Sequence, residues 1–342
     1  MRILYVAMAD DYGDPARGVS FEQANFYDSL VRMGHEVIPF DFMALTQSTG
    51  RNQMNQRLWE TVRAVRPALL FAVPFGWELD PAMIARISVD TVTLAWFCDD
   101  HWRFDDFTRY LAPAFTWSAT TATSALPKYE RIGYRNVIHT QWACNHFSYR
   151  KLDLPLIHEV TFIGQPHGDR RRVIDRLRRA GLEVKVWGYG WESGRLSQEE
   201  MIRTFNQSRI NLNLSNASVV SLRHALLPWT RPHDQIKGRN FEIPGCGGFE
   251  LSGVADNLGD YFDIGREIVC FGSTGDLIDK IRYYLAHEDE RRAIAEAGYK
   301  RTLAEHTYEK RFGEMFERIG VHSYVTPAET GGVASGSHSP SM

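Results

Sequence analysis

The chain has 342 residues, long for a single hydrophobic core and comfortable for two domains. Its 44% hydrophobic and 24% charged content is that of an ordinary globular protein, and a net charge of -3 gives no reason to expect a nucleic-acid or anionic-membrane partner. No run approaches the ~20 apolar residues that a membrane span needs, and Cys98, Cys144, Cys246 and Cys270 match no metal or disulfide pattern, so a reducing, cytoplasmic setting is expected.

Apolar runs of strand length alternate with helical patterns from the first residue. "RILYVAM" (Arg2–Met8) reads as a buried strand, followed by a loop with Asp10, Asp11, Gly13 and Gly18. Ser20 and Gln23 form a capping-box pattern that opens a helix running to Gly34. "HEVIPFDF" (His35–Phe42) is the next strand, so the chain opens with a βαβ unit and a parallel sheet. Strand patterns continue at Pro67–Phe75, Asp90–Asp100, Ala114–Thr121 and Asn136–Ala143, with helical stretches at Asn52–Val65, Pro81–Ile87 and Ala125–Ile132. These make a first doubly wound domain over residues 1–150. Cys144–His158 lacks periodicity and reads as a linker.

The alternation then restarts: strand Glu159–Gly164, helix Asp169–Ala180, strand Glu183–Gly190, helix Gln198–Gln207 and strand Arg209–Ser215. An irregular segment, Asn216–Pro232, precedes "HDQIKGRNFEIPGCGGFELSG" (His233–Gly253), read as a charged helix broken by Pro244 and glycines and followed by a strand. Strand Arg266–Gly272 and helices Thr274–Ala286 and Asp289–Glu305 complete a second domain over residues 157–305. Phe312, Met315, Phe316 and Ile319 give the helix Thr307–Gly320 an apolar stripe suited to docking, and the small, polar tail Pro327–Met342 reads as disordered.

In open α/β sheets, ligands bind beyond the carboxyl ends of strands. That rule selects four places: the loop after Met8, the segment after Cys98, the turn after Gly164 and the stretch from Ser215 to Glu242. A helix beginning near His233–Gln235 offers backbone N–H groups to a diphosphate, and Lys237 and Arg239 add positive charge. On that helix Asp234 and Glu242 are separated by about 80° and roughly 12 Å of rise. A solvated helix of mixed charge has the same spacing. "WFCDDHWRFDD" (Trp96–Asp106) brings Asp99, Asp100 and His101 to a strand end, an arrangement open to acid–base use or to a plain polar turn. In "WGYGW" (Trp187–Trp191), Gly188 and Gly190 permit a tight loop whose tryptophans serve either a base or the core.

The succession "RINLNLS", loop, Asp234-x7-Glu242 and "CGGFELS" resembles the carboxyl-terminal half of GT-B glycosyltransferases, where a Glu-x7-Glu pair precedes a glycine-containing turn into a strand. Residues Gly265–Phe312, with His306-Thr307-Tyr308, resemble in particular the spore-maturation CgeB-type group of glycosyltransferase-like proteins. The resemblance implies two Rossmann-like domains with a terminal helix, 306–320, crossing back to the first, ahead of a tail at 321–342. It implies a transferase that takes a sugar from a nucleoside diphosphate donor without a metal or further cofactor. Gly164, Arg170, Arg171, Gly188, Ser215, Asp234, Gln235, Lys237, Arg239 and Glu242 would face the donor, with Glu242 on the ribose hydroxyls. Asp234 stands where the family has its first Glu. Asp10, Asp11, Gly13 and Asp99 would line the acceptor side, with Asp100 or His101 as the base or orienting group. The acceptor is left open among a small molecule, a polysaccharide and a protein. The same fold also serves nucleotide-sugar epimerases and non-catalytic binding proteins.

Overall fold

The computed structural model describes residues 1–214 and 235–321. Two parallel sheets carry the fold. In the first, β1 (Arg2–Val6), β2 (Glu36–Phe40), β3 (Leu69–Ala72), β4 (Val92–Phe97), β5 (Trp117–Thr120) and β6 (Val137–His139) lie in the order β2-β1-β3-β4-β5-β6. In the second, β7 (His158–Ile163), β8 (Val184–Trp187), β9 (Ser208–Asn213), β10 (Glu250–Gly253) and β11 (Val269–Phe271) lie in the order β11-β10-β9-β7-β8. Every pairing is parallel. Strands buried on both faces read as unbroken apolar runs; all four residues of β3 are buried, which is why the sequence pattern located them. Both sheets reverse winding direction beside their first strand, between β1 and β3 and between β7 and β9, and each reversal opens a crevice at the carboxyl ends.

Alternate residues of β1 serve opposite layers: Leu4 and Val6 pack on one face, Ile3 and Tyr5 on the other. The second layer is completed by the last helix, Tyr308–Arg318, whose Phe312, Met315 and Phe316 lie among Phe26, Leu30 and Phe71. The linker runs beside the entrance to that helix: Cys144 N–H donates to His306 O at 2.8 Å and Tyr308 N–H to Cys144 O at 3.1 Å.

The local structure departs from the sequence pattern in three places. After Ser20, whose hydroxyl accepts from Gln23 N–H at 3.0 Å, the first helix carries a π-turn, Gln23–Tyr27, before the regular turn Asp28–Arg32. Strand pattern was read through Phe42, yet a helix occupies Phe42–Thr49 because the Asp41 carboxylate accepts from Met43 and Ala44 N–H. Third, the segment after β4 winds into helical turns over Asp100–Arg103, Phe104–Thr108 and Arg109–Leu111. The irregular segment 216–232 and the tail 327–342 lie outside the described residues.

The long helix Glu288–Glu305 packs on the short helix Arg239–Gly245 through Gly298. A methyl group at that position would overlap the backbone carbonyl oxygen of Glu267, which cannot rotate away, while meeting Pro244 only at ordinary contact distance. Replacing a helical glycine by alanine normally gains about 1 kcal/mol, whereas overpacking costs about 1–3 kcal/mol. Gly298→Ala is therefore expected to lower the urea midpoint; a raised midpoint would show that the neighbouring backbone yields.

Candidate functional site

The carboxyl ends of the two sheets meet at a cleft of about 610 Å³, within the usual range of ligand sites. Its walls come from the loop after β1 (Pro15–Phe21), the turns after β7 and β8 (Gly164, Gln165, Gly188, Tyr189), the linker residue Tyr149 and Arg239. Four sequence candidates, Asp11, Gly164, Gly188 and Arg239, are thus brought together. Gly188 has φ +143, and a Cβ there would overlap the carbonyl of Gly164, so only glycine lets the two turns close up.

Behind the cleft wall lies Glu242, with none of its surface exposed. Its Oε2 accepts from Arg239, and Tyr149 OH donates to the same carboxylate. The opposite oxygen, Oε1, is buried without a hydrogen-bond partner, as is Nε of Arg239. Burial works against the Arg239 charge, but Glu242 beside it holds the guanidinium above its ordinary pKa. Phe21 of the first domain closes one side: its ring lies 2.8 Å from where a Cβ on Gly238 would stand, and Glu242 Oε1 lies 3.7 Å from the same point.

The helix expected from His233 starts later. It spans Arg239–Gly245 after Gly238, and Gln235–Lys237 form a non-helical approach in which Lys237 N–H is held by Asn240 Oδ1 at 2.9 Å. Of the amides expected to form a helix mouth near His233–Gln235, that of Gln235 lies in non-helical backbone, and His233 lies outside the described residues. Lys237 Nζ donates to Gln235 Oε1, and Gln235 is buried with Nε2 unpartnered. Ser215 and Asp234 lie outside the described residues.

Arg170 and Arg171 do not line the cleft. Arg170 donates to Gln165 O at 2.9 Å and Leu214 O at 2.7 Å, while Arg171 donates to Gly190 O and lies over the Trp191 ring. Both arginines tie down the turns that shape the wall. Trp191 donates to Gly164 O at 2.8 Å and Trp187 packs on the core, so both tryptophans are structural.

A second cavity, about 160 Å³, sits where β1, β3 and β4 end in the first domain. It shares Asp11 and Phe21 with the cleft, so the two are neighbours. Asp99 lines it, together with Glu22 and Arg103, which the sequence reading missed. Burial pushes the Glu22 carboxyl up to about 7, helped by Asp11 and Asp99. Its only sequence signal is its place in the first turn of a helix that follows a strand-end loop. Asp11 is committed to Arg17 at 3.2 Å and to Arg195 of the second domain at 2.8 Å.

Asp100 requires a correction. It is buried, accepts from Thr108 at 2.6 Å and Tyr129 at 2.8 Å, and lines neither cavity. It fastens the turn after β4 to its neighbours instead of presenting a base. His101 follows on the same turn, half-buried, and also lines neither cavity. Asp10 bridges Val19 across the loop. Gly13, at φ +70, abuts Met43, so its role is the shape of that loop.

Glu250, at the start of β10, anchors the short helix from below. Its Oε1 accepts from Asn213 at 2.9 Å and from Asn240, the residue after Arg239, at 2.7 Å. Burial raises its pKa from 4.5 to about 8, against the lowering effect of Asn213, Ser252 and Asn240. Among the described residues, no group of three or more His, Cys, Asp or Glu side chains is placed to hold a metal ion, and no helix is long and apolar enough to cross a membrane.

Residues 170–317 match the family described as glycosyl transferase-like. Spore protein CgeB of Bacillus subtilis (strain 168) is 21% identical over 216 residues, covering 56% of this chain and 64% of that protein, so the match spans less than two thirds of the relative. Among solved structures, sucrose-phosphate synthase from Thermosynechococcus elongatus superposes with a TM-score of 0.63 at 10% identity, covering 94% of this chain and 100% of that one. Anabaena HepE in complex with UDP-glucose gives 0.63 at 11%, with the same coverage. The likeness to these structures shows a GT-B fold, and residues 170–317 are similar to the glycosyl transferase-like family.

The Glu250 carboxyl generates a pH prediction. With its folded-state pKa raised, the folded chain keeps a proton that the unfolded chain releases above about 4.5, so its stabilising contribution is full below 4.5 and is lost as pH rises to about 8. Glu250→Gln cannot ionise and accepts from the same asparagines. Its urea midpoint should gain on the wild type between pH 5 and 8, and parallel midpoint curves would count against the buried neutral acid.

Proposed function

We propose that this GT-B chain moves a sugar from a nucleoside diphosphate donor, held in the cleft between its sheets, to an acceptor placed against the first domain. The reading is carried by Glu242: a carboxylate with no exposed surface keeps one oxygen without a partner beside a cleft wall made of its own two partners, Arg239 and Tyr149. A buried acceptor left unpaired costs about 1–3 kcal/mol, and the vicinal hydroxyls of a ribose are donors that would remove that cost. HepE, of the same fold, is known in complex with UDP-glucose.

In the transfer, the bond from the anomeric carbon to the diphosphate oxygen breaks and its electron pair leaves with the diphosphate. The acceptor oxygen bonds to that carbon and releases its proton. Arg239, charged and partly within the cleft wall, would stabilise the leaving diphosphate, the term that generally contributes most in such reactions. No metal is required on this reading. Glu22 and Asp99 would hold the acceptor's hydroxyls in the adjoining cavity. Closure of the cleft would limit loss of the donor to water.

Calorimetric titration with UDP, GDP and dTDP tests the donor site. One of them should bind the wild type, and Glu242→Gln should weaken it about 10–100-fold, as expected for a charge-assisted hydrogen bond of about 1.5–3 kcal/mol. Absence of binding by the wild type, or full affinity in the variant, would defeat the assignment.

A further inference from the structure

Six aromatic side chains among the described residues are large and exposed: Tyr12, Trp77, Trp102, Tyr110, Tyr189 and Tyr283. Exposed apolar residues scattered singly need no explanation, but five of these six belong to one continuous run. Tyr189 of the second domain and Tyr12 of the first sandwich the Arg17 guanidinium, at 4.4 and 4.5 Å from the ring centres. Tyr12 meets Phe75 edge-on at 5.3 Å. The Arg103 guanidinium then lies over Phe75, Trp102 and Phe107, and Trp77 packs on Phe107 at 5.1 Å and on Tyr110 at 6.1 Å. Exposure along the five runs from 48% to 57%, so each keeps about half its surface in water.

The run is continuous with the cavity. Tyr12, Phe75, Arg103 and Phe107 are part of its lining, while Trp77, Trp102 and Tyr110 lie outside it. A cavity of about 160 Å³ falls below the ~300–1,000 Å³ of sites for larger ligands, and so has room for a single ring of a longer molecule. The occupant must present flat apolar faces to the rings and polar edges to Arg103, Asp99 and Glu22. A pyranose does so, with its C–H groups on one face and its hydroxyls at the rim. Nucleic acid bases also stack on aromatics, but Asp11 and Asp99 offset the charges of Arg17 and Arg103 along the same path and leave it without the net positive charge that holds a phosphate backbone.

We infer that the acceptor is an oligo- or polysaccharide, its terminal sugar in the cavity beside Glu22 and Asp99 and the following sugars stacked along Trp102, Trp77 and Tyr110. The inference rests on the transferase reading for the word acceptor, while the glycan-binding surface stands on the aromatic run itself.

The full chain, Trp77→Ala/Trp102→Ala, Trp102→Phe and, as a control off the run, Tyr283→Ala are applied to a glycan array. The strongest oligosaccharide binder is then titrated in solution by tryptophan fluorescence, with single-stranded oligo(dT) as a second ligand. Wild type, Trp102→Phe and Tyr283→Ala should bind a glycan of three or more sugars alike, and the double alanine variant at least 10-fold more weakly. Calorimetry with the nucleoside diphosphate should give one affinity for all four proteins, which also shows that the variants are folded. No glycan bound, equal binding by the double variant, or tighter binding of oligo(dT) overturns the inference. Glycan binding with the expected losses, but no nucleoside diphosphate bound by any protein, would instead remove the transferase reading and leave the glycan surface in place.

Discussion

A carboxylate that reaches no solvent must have its charge answered locally, and how Glu242 is answered sets the arrangement around it. Arg239, one turn earlier on the same short helix, and Tyr149, from the linker between the sheets, both bond to it. The helix itself is pinned at each end by a glycine contact: the Phe21 ring meets Gly238, and the Cys144 sulfur lies against Gly245, where a Cβ would collide. One pinning residue belongs to the first domain and the other to the linker. Glu250 and Asn240 fix the helix from the side of the second sheet. Seven residues with a proline among them form no stable helix alone. Tertiary contacts from both domains hold this one, and so the unpaired oxygen of Glu242 has a defined position.

The same dependence on both domains appears at the cleft roof. Asp11 bonds to Arg17 within its own loop and to Arg195 across the gap, while Arg195 also donates to Arg17 O and Val19 O. Exposed ion pairs contribute little singly. Here one guanidinium takes a carboxylate and two carbonyls at once, and Arg17 is clasped between aromatics from either side. The loop Pro15–Phe21 is thereby seated over Gly164 and Gly188, and cleft and cavity are left sharing Asp11 and Phe21.

Much of this fold was legible because parallel strands buried on both faces are nearly continuous apolar runs: β3 is one throughout, and β1 and β4 are apart from Arg2 and Thr93. Gly164 and Glu242 were singled out by the family resemblance, since a solvated helix of mixed charge meets the same spacing, and Gly188 by the tight loop its glycines permit. The helix beginning at Arg239 was misplaced because mixed charge satisfies a helical pattern whether or not a helix forms, and Gly238 in contact with Phe21 decides where it begins. Arg195 left no mark, and Glu22 only its place in the first turn of a helix that follows a strand-end loop. Arg195 lies in a polar loop and acquires its meaning from Asp11, which no local pattern connects to it. Arg170 and Arg171 show the converse: placed after a strand end, where phosphates bind, they serve carbonyls of the turns instead.

Three carboxyl groups are pushed towards neutrality by burial, and comparing them separates a working acid from a structural one. Asp100, raised to about 6, is enclosed by the hydroxyls of Thr108, Thr120 and Tyr129. Glu250, raised to about 8, is enclosed by two asparagines and a serine. Glu22, at about 7, is hydrogen-bonded by its own backbone and Ser20, and it alone lines a cavity. Strongly perturbed acids mark functional sites only in the statistical sense, because any buried carboxyl with enough donors is perturbed. What distinguishes Glu22 is access. A proton or a sugar hydroxyl can reach it without unfolding anything, and its neighbours Asp11 and Asp99 add to the shift from the same cavity wall. Reading the segment after β4 for titratable residues pointed to Asp100, the most buried member of its group; the open space between β1, β3 and β4 points to the acid across from it.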